Sequence, residues 1–262
     1  VINAVAGGLL LLYGRGAENK MSRRDGYCVV TLSWVFFTFF GMLPFYFSGS
    51  IDTITNAFFE TMSGFTTTGA TILDDIESLS HGMLFWRSLT QWIGGLGIVF
   101  FTIAILPIFT TGGVQLFSAE STGVTHDRTH PKINVMAKWL WTIYLVLTVS
   151  ETVLLMFGGM SLFDAICQSF ATTATGGYST KQNSISYWNS PYIEYVVAIF
   201  MIVSSINFSL FLMCLKGKVG RLFKDEELHW FLASVGILTF LITLALVFQN
   251  HYDWELAFRK AL

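Results

Sequence analysis

Two short segments rich in threonine and glycine occupy matching positions in this chain. Residues 66–70 read Thr-Thr-Thr-Gly-Ala and residues 174–177 read Ala-Thr-Gly-Gly; they are called loop 1 and loop 2 below. Gly69 and Gly176 are 107 positions apart (69 to 176). Each loop follows an apolar stretch and a short amphipathic stretch, and each precedes another apolar stretch. This repeat predicts at least two similar units arranged around a shared site.

The composition is that of a membrane protein. Hydrophobic residues make up 53% of the chain and charged residues 12%, whereas a soluble domain carries about 25% charged residues. The three cysteines are scattered and predict neither a disulfide framework nor a metal site. No basic patch indicates nucleic acid binding, and no catalytic triad, carboxylate pair or phosphate loop indicates an enzyme. We therefore expect a non-enzymatic membrane protein without a cofactor.

The apolar stretches and the basic residues together predict a topology. Five stretches reach the length of about 20 residues that a bilayer requires, and they cover residues 27–47, 89–109, 138–157, 192–215 and 230–248. Lysine and arginine are concentrated in alternate connections, whereas connection 48–86 has none and connection 158–191 has only Lys181. By the positive-inside rule the basic connections are cytoplasmic and the other two are external. The chain is therefore predicted to be an all-α polytopic membrane protein.

Each external connection begins with a stretch that favours a short helix. Residues 52–62 and 161–170 are helix-compatible, and they start at Asp52 and Ser161, which are good N-cap residues. A helix of about ten residues is about 15 Å long, half of the roughly 30 Å hydrocarbon core. Such a helix enters the bilayer without crossing it, so the chain must return outward through loop 1 or loop 2. Non-helical backbone at that depth is tolerated only inside protein or along a watery cavity.

The predicted unit is a span, a short pore helix, a threonine–glycine loop and a second span. Two such units are complete, and a third begins with a span and a short helix over residues 254–262. We expect the end of an N-terminal membrane helix with a basic loop (1–26), unit one (27–109), a cytoplasmic connection (110–137), unit two (138–215), a second connection (216–229) and a truncated unit three (230–262). Because residues 1–13 are too short to span a bilayer, we expect a piece of a longer protein.

Loops 1 and 2 have the chemistry of a cation selectivity filter. A cation that sheds its water needs a ring of oxygens, which backbone carbonyls supply when the chain points them one way. Glycine permits the required φ angles, and threonine stiffens the backbone. The alternative is that both loops are ordinary turns between helices. We predict ion-facing carbonyls at Thr67, Thr68, Gly69, Ala174, Thr175 and Gly176, with Thr66, Ala70 and Gly177 as secondary candidates.

Two charged residues and a glycine cluster lie within or beside the predicted spans. Glu151 lies about 10 Å below the external end of its span by helical rise, and intramembrane carboxylates are usually paired or functional. Arg87, near the external end of a neighbouring span, is the predicted partner. A role for Glu151 in the ion path is the alternative. Gly94, Gly95 and Gly97 predict close helix packing.

Three strings resemble the TrkH-type potassium-uptake subunits of the Trk/Ktr/HKT superfamily. They are residues 64–71 (Gly-Phe-Thr-Thr-Thr-Gly-Ala-Thr), 86–97 (Trp-Arg-Ser-Leu-Thr-Gln-Trp-Ile-Gly-Gly-Leu-Gly) and 174–180 (Ala-Thr-Gly-Gly-Tyr-Ser-Thr). The resemblance implies four units around one pore with pseudo-four-fold symmetry, a homodimer, and a cytosolic nucleotide-binding ring of the TrkA type. It also implies the bacterial inner membrane, with the filter loops on the external side.

The resemblance also bears on the transported ion. It implies filter glycines at Gly69 and Gly176, and relatives with serine at the first of these positions favour sodium. Gly69 therefore points to potassium. Two alternatives stay open: a sodium-conducting relative of the same architecture, and a non-conducting membrane scaffold whose loops only pack. The sequence does not distinguish a channel from transport coupled to protons or sodium.

Overall fold

The fold is helical throughout its described parts. The computed structural model describes residues 2–14, 23–97, 133–215, 220 and 224–262, and the regular elements within these ranges are helices. The α-helices are α1 (Ile2–Tyr13), α2 (Arg23–Gly41), α3 (Leu43–Phe47), α4 (Ile54–Phe65), α5 (His81–Gly95), α6 (Ile133–Phe157), α7 (Leu162–Thr173), α8 (Pro191–Ser205), α9 (Phe208–Leu215), α10 (Glu226–Asn250) and α11 (Trp254–Ala261). A 3-10 helix, Ser184–Trp188, lies between α7 and α8. The prediction of an all-α protein is confirmed.

Within the described ranges, three helical segments are long and apolar enough to cross a membrane. They are Tyr27–Phe47, Lys138–Phe157 and Glu226–Asn250. The first two coincide with predicted spans, and the third contains the predicted span 230–248. The buried share of each segment is only 22%, 22% and 11%, which fits helices whose side chains face lipid. The predicted span 89–109 and the connection 110–137 fall largely on residues 98–132, which lie outside the described residues.

The first span contains a break at Met42. Helix α2 ends at Gly41, and α3 follows with Pro44 in its first turn. Because proline has no N–H and its ring clashes with the preceding turn, a helix cannot continue unbroken through this position. Gly41 lets α2 approach α4 closely, since a β-carbon there would lie 2.6 Å from the ring of Phe65. The indole of Trp86 on α5 donates to the Gly41 carbonyl (2.9 Å), so the break is also a packing point.

The predicted span 192–215 consists of two helices with a break between them. Helix α8 ends at Ser205, Ile206 is extended (φ −72°, ψ 140°), and α9 begins two residues later. The Ser205 hydroxyl donates to the carbonyl of Met201 one turn earlier (2.8 Å), a bond that bends helices. Asn207, which follows, is a residue type that favours the start of a helix. Local polar chemistry thus interrupts an otherwise apolar stretch.

The short helices α4 and α7 lie at the centre of the described fold. Helix α4 packs against α2, α3 and α5, and α7 packs against α5, α6 and α8. Helix α5 therefore contacts both short helices. A buried apolar cluster in unit one contains Met42, Phe45, Ile51, Ala57, Ile76, Leu79 and Leu84. A second cluster, in unit two, contains Leu155, Met160, Ala165, Ile193, Val196 and Val197.

A third short helix lies at the end of the chain, where the sequence predicts one. Helix α11 follows α10 directly and packs against it. Arg259 of α11 lies 3.2 Å from the carboxylate of Glu194 on α8 and 3.3 Å from that of Glu255. The ion pair with Glu194 links the third short helix to the first turn of α8 in unit two.

Candidate functional site: two facing threonine–glycine loops

Helices α4 and α7 are built alike and end at the two loops. Each has 12 residues. The hydroxyl of Thr53 caps α4 by accepting from the N–H of Asn56 (3.2 Å), and that of Ser161 caps α7 by accepting from the N–H of Asp164 (3.1 Å). The prediction of Ser161 as the N-cap is confirmed. The prediction of Asp52 is wrong by one residue, because Thr53 is the extended residue whose hydroxyl reaches the N–H.

Loops 1 and 2 follow the same backbone path. At the helix ends, Thr66 has φ −80° and ψ 2°, and Ala174 has φ −81° and ψ −6°. The next residues, Thr67 and Thr175, are left-handed, with φ of 53° and 54°. A β-branched residue rarely adopts this conformation, which costs about 1–3 kcal/mol, so the surrounding structure must impose it. The same unusual backbone in both loops indicates a shared purpose.

The structural repeat is 108 positions, one more than the predicted spacing. Gly69 and Gly177 have positive φ angles of 76° and 82°. The N–H groups of Thr68 and Gly176 bond to carbonyls five positions back, at 2.9 and 2.8 Å. Gly69 therefore corresponds to Gly177, and Thr68 corresponds to Gly176. The predicted register was wrong because loop 2 has two adjacent glycines, and the sequence does not reveal which one adopts the positive φ.

Loops 1 and 2 meet at their glycines. A β-carbon on Gly69 would overlap the carbonyl oxygen of Gly176. On its other side Gly176 packs against the side-chain amide of Gln91, which a β-carbon would also overlap. Neither position therefore has room for a side chain. The residues predicted from the two loops lie side by side in the structure.

The predicted ligands differ in exposure. Residues 66–70 of loop 1 are exposed or half-buried, and so are Thr175 and Gly177 of loop 2. Ala174 and Gly176 are buried. The carbonyl of Ala174 already accepts a hydrogen bond from the Thr175 hydroxyl (2.7 Å). Ala174 is thus the last residue of the helix end, and the freely accessible part of loop 2 begins one position later.

Hydroxyl groups hold loop 1 from within. The Ser63 hydroxyl donates to the carbonyl of Ala70 (2.6 Å), and the Thr66 hydroxyl donates to the carbonyl of Met62 (2.7 Å). The hydroxyls of Thr66 and Thr68 lie 2.8 Å apart. These bonds tie both ends of loop 1 to the last turn of α4.

Arg87 pairs with Glu60 of α4, so its predicted pairing with Glu151 is wrong. The Nε of Arg87 lies 2.7 Å from Glu60 Oε1, and the two side chains are 2% and 0% exposed. Arg87 faces the first short helix, whereas Glu151 is buried on α6 beside Thr172 of α7. Within the described residues, neither carboxylate oxygen of Glu151 has a hydrogen-bond partner of good geometry. The two charges were predicted on neighbouring spans, but they point into different interfaces.

Glu60 binds the backbone that follows loop 1. Its Oε1 accepts from the Thr71 hydroxyl (2.9 Å), and its Oε2 accepts from the N–H of Ile72 (3.0 Å). These bonds come in addition to the one from Arg87. A buried ion pair is tolerated when further hydrogen bonds satisfy its remaining polar atoms, and Glu60 meets that condition.

Arg87 reaches across to the backbone that follows loop 2. Its Nη1 donates to the carbonyl of Ser179 (3.1 Å), and its guanidinium carbon lies 3.5 Å from the ring centroid of Tyr178. The Tyr178 hydroxyl donates in turn to the carbonyl of Glu60 (2.9 Å), and its N–H donates to Gln91 Oε1 (3.1 Å). Loops 1 and 2 are therefore joined behind their exposed faces by one buried polar network.

Sequence reasoning missed Glu60, Gln91 and Tyr178 as members of the site. Glu60 is 1% exposed and Tyr178 is 2% exposed, although both come from stretches with mixed polar and apolar residues. A signal was available only for Gln91, a large polar residue on the same face of α5 as Gly94 and Gly95. On helix α5, residues three and four positions apart share a face, which aligns Gln91 with both glycines.

Two glycines of α5 pack closely against the end of α4 and against loop 2. A β-carbon on Gly94 would overlap the backbone of Phe65 at the end of α4. A β-carbon on Gly95 would lie 2.7 Å from Ala174 of loop 2 and 2.6 Å from the Tyr144 hydroxyl. The prediction of close helix packing at Gly94 and Gly95 is confirmed.

A second, outer set of contacts links the segments after the loops. Lys181 lies 3.4 Å from the Glu77 carboxylate, and the Gln182 side chain accepts from the N–H of Ile76 (3.0 Å). Partial desolvation lowers the pKa of Lys181, but the charges of Glu77 and Tyr187 outweigh it, and the net shift is upward. Lys181 therefore stays charged at neutral pH, and its ion pair with Glu77 persists.

Comparison with known proteins agrees with the helical repeat and the loops. The profile of the TrkH family, described as "Cation transport protein", matches residues 1–258. The "Trk system potassium uptake protein TrkH" of Escherichia coli strain K12 is 43% identical over 250 residues, which are 94% of this chain and 52% of that protein. The TrkH of Halomonas elongata is 36% identical over 264 residues, covering 100% of this chain and 55% of that protein.

A solved structure has the same fold. The crystal structure of the potassium transporter TrkH from Vibrio parahaemolyticus matches with a TM-score of 0.80 and 34% identity, covering 95% of this chain and 51% of that one. The present chain thus spans about half the length of the relatives that it matches. A match over nearly its whole length, in sequence and in structure, shows that the chain belongs to the TrkH family of cation transport proteins.

Proposed function

We propose that the protein is part of a potassium-uptake subunit and that loops 1 and 2 line its selectivity filter. The observation that carries this proposal is the meeting of two loops of the same unusual backbone conformation at Gly69 and Gly176. Relatives named as potassium uptake proteins support potassium as the ion. The full protein conducts the ion by exchanging its water for backbone carbonyls.

The register of 108 positions refines the proposed ion-facing carbonyls. Loop 1 contributes the carbonyls of Thr67, Thr68 and Gly69. The equivalent residues of loop 2 are Thr175, Gly176 and Gly177. Gly177 therefore replaces Ala174 in the proposed set, because the carbonyl of Ala174 already accepts a hydrogen bond from the Thr175 hydroxyl.

The two short helices support a cation at this place electrostatically. Helices α4 and α7 end at the loops, and the C-terminal end of a helix carries about half an elementary negative charge. Two ends that converge on one region make it favourable for a cation and unfavourable for an anion. Two loops supply part of a closed ring of oxygens, and we propose that further loops of the full-length protein complete it.

The contact at Gly69 supplies a physical reason for a preference for potassium. A side chain at this position would overlap the carbonyl oxygen of Gly176, so even serine must push the two loops apart. Such a displacement changes the spacing of the oxygens that replace the hydration shell. Glycine at position 69 therefore supports a potassium filter over a sodium-conducting relative.

The proposal also covers the membrane, the orientation and the partners of the full-length protein. We place it in the bacterial inner membrane, with loops 1 and 2 on the external side, because the basic connections are then cytoplasmic. Its relatives are named as members of the Trk system. We therefore include a homodimer and a TrkA-type cytosolic nucleotide-binding ring in the proposal.

Rubidium uptake by potassium-starved cells that lack their own uptake systems tests this function. Cells making the full-length protein should take up rubidium, and potassium should compete better than sodium. Gly69→Ser should lower that preference at least tenfold. The matched control is Gly49→Ser, because Gly49 also has a positive φ (69°) but has nothing within 4 Å of a β-carbon. Unchanged selectivity in Gly69→Ser, or an equal loss in Gly49→Ser, would contradict the proposed filter.

A further inference from the structure

We infer that Arg87 is a positioning residue that holds loops 1 and 2 at a fixed spacing. Unit two also depends on Arg87, because it has no equivalent arginine of its own. This inference rests on the proposed function, since the spacing matters for selectivity only if the loops form the filter. Arg87 is buried behind the exposed face of the loops. It acts through Glu60, Tyr178 and Ser179.

Arg87 uses three different parts of its guanidinium at once. Its Nε donates to Glu60, its Nη1 donates to the carbonyl of Ser179, and its flat face stacks on Tyr178. Only arginine combines a planar face with several donors in a rigid fork. A lysine at this place keeps the charge, but it can make only one of these contacts well.

The network closes into a ring that includes both loops. Glu60 holds Thr71 and Ile72 directly after loop 1. Tyr178, directly after loop 2, donates to the Glu60 carbonyl at 2.9 Å and lies within 3.3 Å of the Ala70 carbonyl. Arg87 completes the ring through Glu60 on one side and Ser179 on the other. Movement of either loop relative to the other therefore breaks at least one buried hydrogen bond.

The second unit carries neutral residues at the corresponding positions. With a repeat of 108 positions, Glu60 corresponds to Gln168, whose Nε2 only approaches Thr172 (3.4 Å) and whose Oε1 has no hydrogen-bond partner within the described residues. In the same repeat Arg87 corresponds to Tyr195 of α8, a neutral residue whose hydroxyl donates to Glu255 of α11 (3.2 Å). The charged ring of unit one thus serves both loops.

The test compares Arg87→Lys with Arg24→Lys in the full-length protein. Arg24 is exposed at the start of α2 and remote from the network. The amount of the Arg87→Lys protein in the membrane should be within twofold of the wild-type amount. Its preference for potassium over sodium, measured by competition with rubidium uptake, should fall at least tenfold. Arg24→Lys should retain the wild-type preference. A reduced maximal rate with unchanged preference would overturn the inference, because a merely structural role predicts that result.

A second measurement does not depend on transport. Spin labels at Asp74→Cys and Asn183→Cys, two exposed positions after the loops, report the distance between them in a cysteine-free version of the full-length protein. The distance distribution should be at least twice as broad with Arg87→Lys as with Arg24→Lys. Distributions of equal width in Arg87→Lys and Arg24→Lys would overturn the inference, whether or not the wild-type protein transports potassium. If the distribution broadens in Arg87→Lys but the wild-type protein takes up no rubidium, only the proposed function is refuted.

Discussion

Removing both members of the Glu60–Arg87 ion pair should destabilise the protein by less than the sum of the two single losses. The side chains are buried and their charged atoms are 2.7 Å apart. Loss of one partner leaves an uncompensated buried charge and costs about 3–5 kcal/mol, whereas exchange of both for apolar residues of similar volume is often neutral. We therefore expect Glu60→Met and Arg87→Met each to lower the free energy of unfolding by about 3–5 kcal/mol.

The double variant makes this expectation quantitative. Residues in one hydrogen-bonded network show interaction energies of about 0.5–3 kcal/mol. Because the pair is buried, we expect a coupling energy near the upper end of this range. The double variant should then lose about 2–3 kcal/mol less stability than the sum of the two single losses. Some loss should remain in the double variant, since Thr71, Ile72 and the Ser179 carbonyl lose their partners.

Denaturant unfolding of the purified full-length protein, followed by tryptophan fluorescence, measures all three variants. Arg24→Met, which removes an exposed arginine, serves as the control and should be nearly neutral. If the losses of Glu60→Met and Arg87→Met simply add in the double variant, the two residues do not act as a pair and the account of the buried network is wrong.

Two further substitutions test other parts of the described fold. Gly94→Ala should lower the yield of folded protein at least tenfold in size-exclusion chromatography, because the new methyl group overlaps the backbone at the end of α4. Gly236→Ala on α10, where a β-carbon meets nothing within 4 Å, should leave the yield unchanged; equal yields would contradict the close packing. Because the carboxylate of Glu151 makes no hydrogen bond of good geometry within the described residues, replacing it by methionine breaks none. Glu151→Met should therefore change the free energy of unfolding by less than about 1 kcal/mol. A loss as large as that of Arg87→Met would show that Glu151 has a partner.

The repeated architecture could be predicted because each of its parts has a local signal. Apolar length marked the spans, and short amphipathic stretches after two of them marked the short helices α4 and α7. Ser161 sits at the start of a short amphipathic stretch, which is enough to place an N-cap. The break at Met42 also had a local cause in Pro44, although the sequence alone was interpreted as one continuous span.

The partner of Arg87 could not be predicted from local signals. Which residues meet depends on how neighbouring helices rotate about their axes, and hydropathy does not encode this rotation. Glu60 resembled any polar residue of an amphipathic helix until α4 was placed against α5, where it becomes 1% exposed. Glu151 was the more conspicuous charge in the sequence, but it faces α7.

The register of loop 2 also needed backbone geometry. Counting from the first glycine of the pair Gly176–Gly177 gives a repeat of 107, but the φ angles align Gly69 with the second. The equivalent residues of the two loops were therefore located to within one position, and this difference is what placed Ala174 in the predicted set. Only the dihedral angles and the hydrogen bonds of the last helical turn settle such a difference.

Helix α5 serves as a common foundation for both loops. Along one side it presents Arg87, Gln91, Gly94 and Gly95, and these residues contact the end of α4, loop 2 or the segment after loop 2. If a bilayer of a different thickness tilts the outer spans, α5 and the two loops move together as one rigid unit. A tilt of α5 then moves both loops together, and the distance between the loops is preserved.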